Sequence, residues 1–137
     1  MESRAVVAWL RLARVYQKVG RAATAQLRLY GLSLAQFDVL AQVGAAEGLT
    51  QRELAERLLV TKGNVSQLVD KLERAGLVVR APEGRVCRLH LTPAGRAFFA
   101  RVVPAHEEFI DREFSALSRE EQAKLARLLR ALDRSLD

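Results

Sequence analysis

A chain of 137 residues, half of them apolar, is one ordinary domain, long enough to bury about two-thirds of the surface its unfolded form exposes. A net charge of +6 and an isoelectric point of 10.2 point to an anionic partner, nucleic acid first. The single Cys87 excludes an internal disulfide, no apolar run reaches the ~18 residues of a membrane span, and the arginine-studded start MESRAVVAWLRLARVYQ lacks the apolar stretch of a signal peptide, so the expected compartment is a reducing cytoplasm.

The first long helix is expected from Arg4 to Leu29, with Ala5, Ala8, Trp9, Leu12, Val15, Tyr16 and Val19 on its apolar side and Gly31 ending it. Ser33 with Gln36 is a capping box, in which each side chain satisfies a free backbone donor of the other, and opens a second helix over 34–46. Thr50 with Glu53 opens a third, short helix over 51–58. After a turn at 59–61, with Thr61 as cap, a fourth helix is expected over 62–75, stopped by Gly76. Its apolar residues Val65, Leu68, Val69 and Leu72 recur at i, i+3, i+4 and i+7, one buried stripe.

Beyond Gly76 the period changes from 3.6 to 2, so LVVRA and VCRLHLT read as two strands with a hairpin tip at Pro82-Glu83-Gly84-Arg85. Thr92 followed by Pro93 then starts a fifth helix to about Phe114, because proline at the first helical position loses no backbone bond. This helix carries two apolar rows, Phe98, Val102, Ala105 and Phe109 against Phe99, Val103, Ile110 and Phe114, one for the core and one for something else, and Pro104 is expected to kink it. Ser118 with Glu121 opens a last helix over 119–136, striped by Leu125, Leu128, Leu129, Leu132 and Leu136 and suited to a subunit interface. The fold class is mainly α with a small β-hairpin.

A short helix, a tight turn, a second amphipathic helix and a hairpin is the order of a winged helix-turn-helix. Opposite its buried stripe the fourth helix carries Gly63, Ser66, Gln67, Asp70, Lys71 and Arg74. Gly63 allows close backbone approach, Ser66 and Gln67 suit base edges, and Lys71 and Arg74 suit phosphates. An Asp70–Arg74 pair at i, i+4 is the ordinary surface alternative. Lys and Arg exceed Asp and Glu by three in residues 1–49, by three in 50–92 and not at all in 93–137, which puts the positive excess where the motif lies.

The run LTQRELAERLLVTKGNVSQLVDKLERAGLVVR, the hairpin and LTPAGR together resemble the MarR family of bacterial transcription regulators over essentially the whole chain. The resemblance implies a sequence-specific DNA-binding repressor: a single domain over 1–137, with a DNA-binding lobe at 32–92 and dimerisation helices at 1–31 and 93–137. It implies a homodimer on a roughly palindromic duplex, recognition helices in the major groove about 34 Å apart and wings in the minor groove. By position it implies contacts from Lys62, Gly63, Asn64, Ser66, Gln67 and Lys71, from Arg85 at the wing tip, and to the DNA backbone from Thr50, Gln51 and Thr61. The hairpin segment PEGRVCR is shorter than many family wings, and Gln67 stands where many members have arginine.

The resemblance also implies a pocket for a small aromatic or anionic effector where the first, second and fifth helices meet, with Trp9, Tyr16, Phe37 and Phe98 as candidate lining. Cys87 leaves redox response as an alternative, and a winged-helix protein-interaction module is another. No metal site is expected, since His90 and His106 are the only histidines and HEEF lacks the second histidine of a zinc helix. No nucleophile motif, phosphate-binding glycine loop or cofactor motif points to an enzyme.

Overall fold

Helix starts in this chain are set by side chains that close onto free backbone donors. In the computed structural model, which describes residues 3–59 and 64–137, all three expected capping boxes form, at Ser33–Gln36, Thr50–Glu53 and Ser118–Glu121. The elements run α1 (Arg4–Arg28), α2 (Leu34–Ala45), α3 (Gln51–Arg57), α4 (Val65–Arg74), β1 (Val78–Glu83), β2 (Val86–Leu91), α5 (Pro93–Glu113) and α6 (Arg119–Ser135). The expected order is therefore observed, six helices and one hairpin among the described residues.

The start of α4 is a correction. The sequence reading began this helix at Lys62 with Thr61 as cap, but Asn64 is the cap: its backbone is extended and its Oδ1 accepts from the Gln67 N–H at 3.2 Å. Asparagine is among the best N-cap residues, so it ends the turn favourably where a helical position would cost stability. Thr61, Lys62 and Gly63 lie outside the described residues.

The hairpin tip is also tighter than expected. Pro82 and Glu83 belong to β1, the register pairs Val78 with Leu91 and Glu83 with Val86, and only Gly84 and Arg85 turn the chain. Gly84 has φ +62° while Arg85 stays at negative φ, the pattern of a two-residue turn with glycine first. A lone hairpin is marginal. Here Gly48–Thr50 lies along β2 as a short third partner, with Gly48 N–H donating to Leu89 O and Leu89 N–H to Leu49 O, both at 2.9 Å.

One core joins these elements. Leu27 of α1, Val39, Leu40 and Val43 of α2, Leu54 of α3, Val69 and Leu72 of α4, Val78 and Leu89 of the hairpin and Val102 of α5 are fully or almost fully buried. Helix α2 is the hub, since it packs against α1, α3, α4, α5 and β2. Both apolar rows of α5 serve this core at their N-terminal ends, where Phe98, Phe99 and Val103 pack onto it, so the expected division of labour between the rows does not hold there. The cause is position: this end of α5 contacts both α2 and β2. Helix α5 continues as helix through Pro104 to Glu113.

The LTPAGR segment closes the junction between α4 and α5. Gly76 at φ +77° lets the Leu77 N–H reach Leu72 O and its own N–H reach Glu73 O, the two bonds of a Schellman cap. The Thr92 hydroxyl donates to Gly76 O at 2.5 Å and accepts from Gly95 N–H at 2.9 Å. Gly95 is buried there, and a methyl group on it would run into the carbonyl of Leu77, a backbone atom that has no rotamer to yield. Gly20, in the middle of α1, faces open space. Gly95→Ala is therefore expected to lower stability by about 2 kcal/mol or more, and Gly20→Ala to raise it by about 0.5–1 kcal/mol; denaturant unfolding of both variants checks the opposite signs.

Candidate nucleic-acid interface

Helix α4 presents two faces of different chemistry. Val65, Val69 and Leu72 are buried, while Ser66, Gln67, Lys71 and Arg74 are exposed. No ion pair is formed by Lys71, Arg74 or Arg85 among the described residues, so these cations are not spent within the fold. Asn64 is exposed but its Oδ1 is engaged in the cap, leaving its amide N–H groups outward. Thr50, half-buried, accepts from Glu53 N–H through Oγ1 at 3.1 Å, and Gln51 begins α3 beside it. Glu53 in turn accepts the Thr50 N–H at 2.9 Å, and that backbone bond is the main reason its carboxyl is held below the usual range.

The surface pair expected at Asp70 and Arg74 does not form. Asp70 instead binds Arg80 of β1, Nη1 to Oδ1 at 2.7 Å, and the same Nη1 donates to Glu73 Oε1 at 2.9 Å. The other arm, Nη2, donates to the Ser66 carbonyl at 3.2 Å, and the Arg80 backbone N–H reaches Glu73 Oε2 at 3.3 Å. A guanidinium can serve this row, at i, i+4 and i+7, because its donors form a fixed fork. Burial opposes the Arg80 charge, but Asp70 and Glu73 outweigh it and hold its pKa above the ordinary value. The wing is thus tied to the length of α4, and its tip with Arg85 lies roughly 10 Å beyond the tie.

Two further side chains place these elements and were not singled out from sequence. Asp38, the buried acid and single charged residue of α2, accepts the Leu59 N–H at 2.6 Å and so fixes the chain leaving α3. Arg88 of β2 binds Glu83 at 2.7 Å and donates to Gly48 O at 2.9 Å, which joins the wing to the α2–α3 connection and removes Arg88 from the free cations. An acid inside an apolar helix and an arginine within an apolar strand were the available signals.

An open groove of about 920 Å³ lies between α1, the start of α2, the end of the α3 segment and α5. Tyr16, Arg21, Arg28, Leu34, Leu59, His106 and Ile110 are among its lining residues. Of the four aromatic candidates only Tyr16 lines it. Phe37 is one step behind, its ring 4.4 Å from that of His106; Phe98 packs onto the core with Arg101 over it; and Trp9 lies two helical turns from Tyr16 along α1, 64% exposed. His106 Nδ1 pairs with Gln26 Oε1 at 3.0 Å, and its partial burial favours the neutral ring. Cys87 is half-buried opposite Pro82 in the hairpin, and no cluster of three metal-ligating side chains occurs among the described residues. No described helix is long and apolar enough to cross a membrane.

Comparison with known proteins agrees with this arrangement. A sequence model of the MarR family matches residues 30–86, from just beyond α1 to the first residue of β2. An uncharacterised HTH-type transcriptional regulator of Bacillus cereus is 35% identical over 117 residues, 85% of this chain and 80% of that protein. The crystal structure of a MarR family transcriptional regulator from Silicibacter pomeroyi aligns with a TM-score of 0.85 at 32% identity, covering 99% of this chain and 100% of that one. A MarR family protein of Mycobacterium tuberculosis, solved in complex with p-aminosalicylic acid, aligns with a TM-score of 0.73 at 30% identity over 90% of this chain and 96% of its own. A polar, cation-bearing helix on an apolar anchor, a wing tied to it and these likenesses over most of the chain have one reading: the chain belongs to the MarR family of DNA-binding transcriptional regulators.

Proposed function

We propose that the protein is a homodimeric repressor that binds a pseudo-palindromic duplex and leaves it when a small aromatic anion binds. Residues 32–92 act as the DNA-binding lobe, and 1–31 with 93–137 as the dimerisation helices. The observation that carries the reading is the face of α4: Ser66 and Gln67 exposed at its N-terminal end, Lys71 and Arg74 exposed behind them with no ion pair among the described residues, and the Arg85 tip held on the same framework by Arg80. Ser66 and Gln67 read base edges in the major groove, Lys71 binds phosphate, Arg85 reaches the minor groove, and Thr50 and Gln51 at the start of α3 meet the sugar-phosphate backbone. Thr61, Lys62, Gly63 and Asn64 complete the contact set by the family resemblance.

Dimerisation follows from what the single chain leaves uncovered. No residue of α6 is buried, and Leu128, Leu132 and Leu136 are exposed, as are Trp9 and Tyr16 on α1. The α6 start is held by Gln122, whose amide donates to the Phe114 and Leu117 carbonyls at 3.1 Å, while the leucine stripe beyond has no intrachain cover to match it. A second protomer supplies that cover. The groove at α1, α2 and α5 couples these helices to the DNA-binding lobe, and Arg21 and Arg28 on its wall suit a carboxylate or phenolate. An effector that binds the dimer with mismatched helix spacing more tightly draws it off DNA.

Duplex binding measured by fluorescence anisotropy at several salt concentrations is expected to weaken with a log–log slope of about 0.9 per phosphate contact. Lys71→Ala is expected to weaken all sequences alike, Gln67→Ala to narrow the gap between preferred and random duplexes by about 1–3 kcal/mol. Salt-independent or absent binding to every duplex sinks the regulator reading. Leu128→Glu combined with Leu132→Glu is expected to convert the dimer to a monomer in sedimentation analysis; a wild-type monomer would refute the interface. Salicylate-class carboxylates are expected to raise the melting temperature, and Arg21→Ala with Arg28→Ala to abolish that rise; stabilisation that survives both changes rules out this groove.

A further inference from the structure

Asp70 occupies an awkward place for a helix that meets DNA. On the helical wheel it falls between Ser66 and Gln67, in the middle of the exposed face, and Glu73 flanks it. Counting α4 alone, the two cations Lys71 and Arg74 are cancelled by the two carboxylates, so the helix carries no net charge toward phosphate. Yet both carboxylates, about 40% exposed, turn to the same guanidinium, which is itself only 22% exposed.

We infer that Arg80 is a positioning residue for DNA binding, which draws Asp70 and Glu73 off the DNA-facing side of α4 and so leaves Lys71 and Arg74 as the charges that a duplex meets. The Nη1 atom holds both carboxylates at 2.7 and 2.9 Å, and the backbone N–H of Arg80 adds a bond to Glu73. Because Nη2 also holds the Ser66 carbonyl, the wing strand and the whole first two turns of α4 are fixed as one piece. Arg80 acts through its neighbours and touches no phosphate itself. Among the described residues the charged groups paired with it are Asp70 and Glu73 of α4, while Lys71 and Arg74 are exposed and form no ion pair.

The inference rests on the DNA-binding reading, and the test separates the two. The probe is a labelled 30-base-pair duplex of random sequence at 50 mM salt, with the full-length chain, each variant checked by circular dichroism and thermal melting. Wild-type protein that binds no duplex removes the DNA-binding reading itself. Given wild-type binding, Arg80→Met is expected to weaken it about fivefold or more, because two released carboxylates then face phosphate. Adding Asp70→Asn and Glu73→Gln to Arg80→Met is expected to restore binding to at least the wild-type level. Had Arg80 contacted phosphate directly, or served only to brace the wing, the triple variant would stay weak, and that result overturns the inference. Wild-type affinity in Arg80→Met overturns it equally. Should Arg80→Met alone fail to fold, the triple variant, which has no unpaired carboxylate left in the cluster, decides between the same two outcomes.

Discussion

The molecule depends on the burial of one stripe of α4. Val65, Val69 and Leu72 join Leu54 of α3, Val39, Leu40 and Val43 of α2 and Val78 of β1 in the core, so the helix is anchored from its back and owes little of its stability to its front. That separation leaves the exposed side open to residues chosen for what they touch. The other fixings of α4 respect it: Asn64 caps one end, the Gly76 turn and Thr92 hydroxyl hold the other, and Arg80 grips a lateral row.

Local signals were written plainly enough for most of the fold to be read from residues. Each capping box joins two residues three positions apart, each side chain accepting from the other's backbone N–H, so Ser33, Thr50 and Ser118 marked helix starts without any knowledge of packing. Thr92 with Pro93 did the same for α5. The start of α4 was missed because TKGN holds two cap-competent residues, Thr61 and Asn64, and choosing between them depends on how tightly the preceding turn closes. Asp38 accepts the Leu59 N–H from 21 residues away, a bond no local pattern contains.

The proposed site was legible to the extent that helical spacing assigns faces. Ser66, Gln67 and Lys71 follow from period 3.6 once Val65, Val69 and Leu72 are buried. What spacing could not supply was the choice of partner: Asp70 has Arg74 one turn away, and the tertiary fold brings a better donor, Arg80, already half-desolvated and forked toward Glu73. The effector candidates failed to converge for a similar reason. Aromatic residues were gathered by type, whereas the groove takes the α1 face that lies toward α5, which includes Tyr16, Arg21 and Arg28 but leaves Trp9 on the stretch of α1 where the chain has no cover of its own. Exposed apolar residues on α1 and α6 belong to the same logic, because amphipathic helices at both ends of a small chain find cover for only one of two stripes within it.

The division of α4 into rows gives the chain room to change its target. Ser66, Asp70 and Glu73 are bound to the wing, but the Gln67 and Lys71 side chains make no hydrogen bond or ion pair among the described residues. Replacing the side chain at 67 leaves every anchor in place, whereas at 66 the backbone carbonyl keeps its bond to Arg80 at 3.2 Å and only the longer 3.5 Å contact through Ser66 Oγ is lost. Under the proposed reading, the helix is in that sense an exchangeable reading head on a fixed mount: new operator preferences can be tried one residue at a time, with the framework that aims them carried over intact.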